Sequence, residues 1–160
     1  MNNVAFTAPI NPSSASTKLS LDQIWQGLER KIRAGQDFVG GAITSTDVIS
    51  TSTTDKGLPV TVRVVNFKEG NRKVEETCIT YHPAKVEFHQ KNGSKVQNVI
   101  SEGADGELYM TYTFEWLHPE CEGDEKALEE KRVKEKNMAK TAVESTIKVM
   151  REMLEDGRIK

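Results

Sequence analysis

The fold is decided by SEGADGELYMTYTFEW, Ser101 to Trp116, and by the long run that follows it. Gly103 to Gly106 is turn chemistry, and from there Leu108, Met110, Tyr112, Phe114 and Trp116 alternate with Tyr109, Thr111, Thr113 and Glu115. That period of two predicts a strand with one buried face, entered through a hairpin. After one short connection, Asp124 is a good N-cap and Gly157 a stop, bounding a helix on the order of 50 Å long. Its halves differ. Glu125 to Lys136 is mostly charge, with Glu130 and Lys134 at i,i+4 spacing, whereas Met138, Ala142, Val143, Ile147, Met150 and Leu154 form an apolar stripe. On this reading only the second half grips the sheet. A sheet that ends in an amphipathic helix laid back across it encloses a space.

Upstream, the segment from Ile43 to Leu117 reads as short alternating runs divided by turn signals. The separators are Asp55-Lys56-Gly57, Glu69-Gly70, Pro83-Ala84, Asn92-Gly93 and Gly103 to Gly106. With Val4 to Ile10 they define about seven strands of an antiparallel meander. Between the first strand and the meander, Ser20 and Gln23 form a capping box, and Leu21, Ile24, Trp25, Leu28 and Ile32 recur at helical spacing until Gly35. Phe38 and Val39 follow as inward-packing residues, and Gly40-Gly41 releases the chain into the sheet.

Opposed residues of a hairpin share a face, so the turns also predict an interior. With two-residue turns at Glu69-Gly70, Pro83-Ala84 and Asn92-Gly93 and a four-residue turn at Gly103 to Gly106, one face collects Val60, Val62, Val64, Thr77, Ile79, Tyr81, Val86, Phe88, Gln97, Val99, Leu108, Met110, Tyr112, Phe114 and Trp116. The other collects Thr61, Arg63, Glu76, Cys78, Thr80, Glu87, His89, Asn98, Tyr109, Thr111, Thr113 and Glu115. The expectation is an apolar inner face and a polar outer one, with Arg63 and Glu76 directly opposed as an exposed ion pair and Cys78 an inert outer thiol.

The chain has 160 residues, of which 29% are charged and 36% apolar, with a formal net charge of −2. This suits one domain over residues 1–160 and gives no electrostatic reason to expect a nucleic-acid partner. No apolar run approaches the roughly 18 residues of a membrane helix, and MNNVAFTAPINPSS lacks the order of a secretory signal, so membrane insertion is not expected and a cytoplasmic location is. Cys78 and Cys121 are too few for a disulfide framework. His82, His89 and His118 lack metal-ligand spacing, and Gly103 to Gly106 leads into a strand rather than a helix N-terminus, so neither a metal nor a phosphate-bearing cofactor is expected.

Several segments together resemble a known family. The order strand, helix, six-strand meander, long helix resembles the helix-grip fold of the SRPBCC or START-like superfamily, which includes lipid-transfer domains, pollen-allergen-like proteins and polyketide aromatases. More narrowly, TAPINP (Thr7 to Pro12), LDQIWQGL (Leu21 to Leu28), NVISEGADGELYMTYTFEWLHPE (Asn98 to Glu120) and NMAKTAVESTI (Asn137 to Ile147) resemble the AtaL-like family, named for a protein of the acetylaranotin biosynthetic cluster. The resemblance spans nearly the whole chain, and SEGADGELY is its most specific part. It implies an α+β fold with a curved sheet wrapped around the last helix and a cavity for a hydrophobic small molecule. It supplies no catalytic motif.

The expected ligand-binding residues are Tyr81, Phe88, Gln97, Val99, Met110, Tyr112, Phe114, Met138, Ala142, Val143 and Met150, apolar walls with a few polar anchors. Glu75, inward opposite Val64, and Asp47, which joins that row if the turn near Asp55-Lys56 has two residues, are acid/base candidates together with Tyr112, because crowded carboxylates shift each other's pKa. Three functions fit: binding of a hydrophobic or aromatic molecule such as a secondary-metabolite intermediate, cofactor-independent cyclase, dehydratase or isomerase chemistry in the same cavity, and protein interaction through the charged half of the last helix.

Overall fold

The computed structural model describes residues 1–160. Strand β1 (Asn2–Pro9) leads through a loop to α1 (Leu21–Arg33), and six strands follow: β2 (Ile43–Thr53), β3 (Pro59–Phe67), β4 (Lys73–Tyr81), β5 (Lys85–Gln90), β6 (Lys95–Glu102) and β7 (Leu108–Trp116). Helix α2 (Glu125–Glu155) closes the chain. All seven strands form one antiparallel sheet in the order β1-β7-β6-β5-β4-β3-β2, so the meander is continuous and β1 pairs beside β7. This is the expected helix-grip architecture. No helix is long and apolar enough to cross a membrane.

Local chemistry sets the helix ends. Ser20 accepts from the Gln23 amide while the Gln23 side chain accepts from the Ser20 amide, the capping box read from sequence. Asp124 caps α2 through the Ala127 amide at 2.9 Å. The turn of α1 that faces α2 carries Gly27. A Cβ there would lie 2.7 Å from Met150 Cγ and 2.9 Å from its Sδ, so the glycine permits the two helices to close on each other.

Strand pairing from β3 to β4 is as expected, with Val64 opposite Glu75 and Arg63 opposite Glu76. The next three turns are not. Tyr81 pairs Lys85 across a three-residue connection, His89 pairs Lys95 across five residues, and Glu102 pairs Leu108 across five. Each shifts the register by one residue from that of the expected turn, and each such slip exchanges the faces. The expected inner positions on β5 and β7 survive, with Val86, Phe88, Met110, Tyr112 and Phe114 in the core. Those on β3, β4 and β6 are reversed. Thr61, Arg63, Val65, Glu76, Cys78, Thr80, Asn98 and Ile100 are the buried residues there.

The same reversal corrects several site candidates. Tyr81, Gln97 and Val99 lie on the outward face, where Gln97 Nε2 donates to Glu87 Oε1 at 2.9 Å and Tyr81 donates to Glu87 Oε2 at 3.4 Å. Asp47 and Glu75 do share a row through Val64, but it points outward: Asp47 is exposed and Glu75 pairs with Lys91 at 3.0 Å. On α2 the buried stripe is Glu135, Ala139, Val143, Thr146, Ile147, Met150 and Met153, with Ala142 and Leu154 partly buried, while Met138 is 51% exposed. The first half of α2 is also fastened. Asn2 Nδ2 donates to Glu135 Oε2 at 2.7 Å, and His118 Nε2 meets Glu135 Oε1 at 2.6 Å. The grip on β1 and the β7 connection is polar there, which is why no apolar stripe announces it.

Replacing Gly27 with valine should therefore drive the helices apart against a fully buried Met150. The expected loss is about 1–3 kcal/mol, the usual range for overpacking, read as a lower thermal midpoint. An unchanged midpoint would show that α1 does not depend on this contact.

Candidate functional site

Four polar side chains meet in the interior between the inner face, α1 and α2. Lys31 comes from α1, three residues after Leu28 and seven after Ile24, so it lies on the helix's apolar face. Its Nζ donates to Tyr112 OH at 2.7 Å, Asn98 Oδ1 at 3.1 Å and Thr146 Oγ1 at 3.4 Å, linking β7, β6 and α2. All three partners are neutral oxygens. The ammonium also lies 4.2 Å from the Tyr112 ring centroid.

Burial and, after it, the Arg63 charge bring the Lys31 pKa down from 10.5 to about 7, against a smaller opposing pull from Glu76. Burial likewise holds the Tyr112 phenol above its ordinary value, so it stays protonated at neutral pH. Asn98 is 1% exposed. Its Oδ1 is fixed by the lysine, which faces it as a donor, and its Nδ2 is left without a partner.

Beside this cluster, Arg63 and Glu76 form a buried pair rather than an exposed one, with side chains 6% and 7% exposed. Arg63 donates from Nε at 2.9 Å and from Nη2 at 2.6 Å to Glu76 Oε2. Its Nη1 donates to the carbonyls of Lys31 and Ile32 at 2.8 and 2.9 Å, covering two of the carbonyls that the end of α1 leaves open. The guanidinium also stands 4.8 Å from the Phe88 ring. Cys78, on the same face, is fully buried, and its thiol is pushed up to about 12 by that burial, which leaves it unreactive.

A cleft of about 1010 Å³ lies between the β3–β4 end of the sheet and α2. Phe67, Lys68 and Arg72 from the β3–β4 end, Gly41 and Ala42 from the chain before β2, and Met138 from α2 line it. The Arg72 guanidinium sits 4.7 Å over the Phe67 ring. A second cleft of about 650 Å³ lies at the β7–α2 junction, around Leu117, His118, Cys121 and Leu128.

Sequence reasoning placed Phe88, Met110, Tyr112, Phe114, Ala142, Val143 and Met150 facing the interior, and the structure puts them there. Lys31, Arg63, Glu76 and Asn98 were not among the site candidates. The available signal was Lys31 itself, a charged residue at i+3 and i+7 on an apolar helix face.

A family model described as acetylaranotin biosynthesis cluster protein L matches residues 4–157. No curated protein matches the chain. Among solved structures, the chain is similar to the di-domain ARO/CYC BexL from the BE-7585A biosynthetic pathway, with 13% identity and a TM-score of 0.62 over 94% of this chain and 49% of that one. It is similar to the di-domain ARO/CYC StfQ from the steffimycin pathway, with 10% identity and a TM-score of 0.62 over 98% of this chain and 52% of the other. An AHSA1-like protein from Aeromonas hydrophila aligns over 98% of this chain and 94% of its own, with 10% identity and a TM-score of 0.53. The chain spans about half the length of the two di-domain proteins, and at these identities the likeness is one of fold.

Two outcomes follow from the interior charges. Arg63→Met leaves Glu76 buried without its partner and should cost about 3–5 kcal/mol in chemical denaturation; a loss below about 1 kcal/mol would mean that water reaches the carboxylate. Lys31 gives a pH signature. The unfolded chain holds that proton up to 10.5 and the folded one only to about 7, so between them the unfolded state binds more protons and stability rises with pH. Cys78 and Tyr112 act in the opposite sense only above their ordinary values of 9.0 and 10.0, which isolates Lys31 between pH 7 and 9. A slope approaching about 1 kcal/mol per pH unit is expected there, and Lys31→Met should flatten it.

Proposed function

Because the chain belongs to the acetylaranotin biosynthesis cluster protein L family, we propose that it binds a hydrophobic or aromatic small molecule between its sheet and its C-terminal helix, a secondary-metabolite intermediate being the class the family description favours. The observation that carries this reading is the cleft of about 1010 Å³, to which both the sheet and α2 contribute walls. Its volume is at the upper end of ordinary ligand sites, roughly 300–1,000 Å³.

The lining specifies the ligand further. Ala42, Phe67 and Met138 supply apolar contact, and a half-exposed methionine adapts to varied shapes. Lys68 and Arg72 place positive charge at the rim, with Glu69 as the acidic neighbour. The Arg72–Phe67 stack forms a shelf on which a planar ring can lie while the guanidinium donates to an acidic or phenolic oxygen of the same molecule.

A fluorescent aromatic sulfonate, anilinonaphthalene sulfonate, has the matching chemistry. Its affinity should fall about tenfold in Phe67→Ala and again in Arg72→Ala, the scale of one lost aromatic or charge-assisted contact. Equal dissociation constants in the wild type, both variants and Met138→Lys would take the cleft out of the binding site.

A further inference from the structure

The interior polar cluster is not explained by the cleft. A lysine buried this completely normally has a carboxylate beside it, and the carboxylate available, Glu76, is held by Arg63 instead. Lys31 is left among a phenol, an amide and a hydroxyl. The Asn98 Nδ2 donor next to it is buried and unpartnered, an anomaly that an oxygen acceptor would remove. An amine whose hydrogen-bond partners are all neutral, a phenol 2.7 Å from it and a free donor on the neighbouring strand make a constellation suited to addition to a carbonyl group.

We propose that Lys31 is a nucleophile that forms an imine with a ketone or aldehyde group of the bound molecule, with Tyr112 relaying the proton and the Asn98 amide holding the carbonyl oxygen. The lone pair of Nζ attacks the carbonyl carbon, a C–N bond forms, and the C=O π pair moves to the oxygen, where Asn98 Nδ2 donates to it. The proton lost by nitrogen passes through the Tyr112 hydroxyl to that oxygen, giving a carbinolamine. The nitrogen lone pair then expels the hydroxyl, which takes the second nitrogen proton through the same Tyr112 hydroxyl and leaves as water. The balance is R₂C=O + Lys–NH₂ → R₂C=N–Lys + H₂O, with no oxidant or further reactant.

Arg63 contributes from β3 by disfavouring a second positive charge nearby, Glu76 on β4 offsets part of that field, and Cys78 and Tyr112 face the site protonated. The step rests on the small-molecule reading above, since the carbonyl compound must be admitted between sheet and α2.

Trapping tests it. Folded wild-type protein is incubated at pH 7 with cyanoborohydride and either para-hydroxybenzaldehyde or butanone, then digested for peptide mass spectrometry. Exposed lysines keep roughly one amine in a thousand or fewer unprotonated at that pH, so Lys31 should carry the reduced adduct at about tenfold or higher occupancy over any of them. Its labelling should climb between pH 6 and 8 and then level, while exposed lysines continue to gain to pH 10. Tyr112→Phe should slow labelling at least about tenfold, in line with a lost proton relay. If both probes leave Lys31 no more modified than the surface lysines, the proposal is overturned, and the wild-type measurement needs no variant to fold. Unlabelled Lys31 with intact naphthalene sulfonate binding rejects the imine alone. Loss of that binding's dependence on Phe67 and Arg72 rejects the cleft.

Discussion

The Arg63 guanidinium is the joint on which the interior depends. One side chain neutralises Glu76 from the adjacent strand and, through Nη1, accounts for the carbonyls of Lys31 and Ile32 at the end of α1. A helix that ends inside a protein must find donors for its last carbonyls, and a cation is favoured there by the helix dipole as well. Here the donor comes from the middle of the sheet, so the same bonds that terminate α1 also fix its position across the inner face. The backbone of Lys31 is one of the atoms held, and its side chain is thereby delivered to Tyr112 and Asn98.

That arrangement explains what could and could not be seen in the sequence. The element order, the capping box, the seven strands and the Arg63–Glu76 pairing were legible, because turn residues and hydrophobic period fix them locally. Which face of β3 and β4 turns inward was not. PVTVRVVNF has valine on both faces, so the choice fell on the neighbouring turns, and three of those shift the register by one residue from what their turn signals suggest. A polar-outside rule then put Arg63, Glu76 and Asn98 on the solvent side. The rule fails here because Arg63 and Glu76 satisfy each other and α1, and Asn98 accepts from Lys31, which no alternation of apolar and polar residues records.

The last helix shows the same limit. Val143, Ile147 and Met150 were readable as a stripe, but the true register begins at Ala139 rather than Met138, and the first half is held by Glu135 between Asn2 and His118. A carboxylate on a charged helix looks like solvated surface until the chain's second residue is known to lie against it. Freed from the core, Met138 instead faces the cleft, opposite Phe67 and Arg72. The candidate site therefore moves from the middle of the sheet to the end of β3, at a place that only the register could reveal.

Buried charge of this kind is not an efficient source of stability. Hydrophobic replacements of a buried ion pair are commonly neutral or stabilising by about 1–4 kcal/mol, whereas deleting one partner is strongly costly. A lysine near neutrality without a carboxylate, and an amide with an unmet donor, add to the cost rather than offset it. A core built for stability alone would fill this space with leucine and valine, as the flanking positions Leu28, Val86 and Val143 already do. The polar groups are instead concentrated at one point, between the sheet and both helices. Concentration argues for chemistry there, because groups scattered for structural reasons need not share a focus, and Lys31, Asn98 and Tyr112 do.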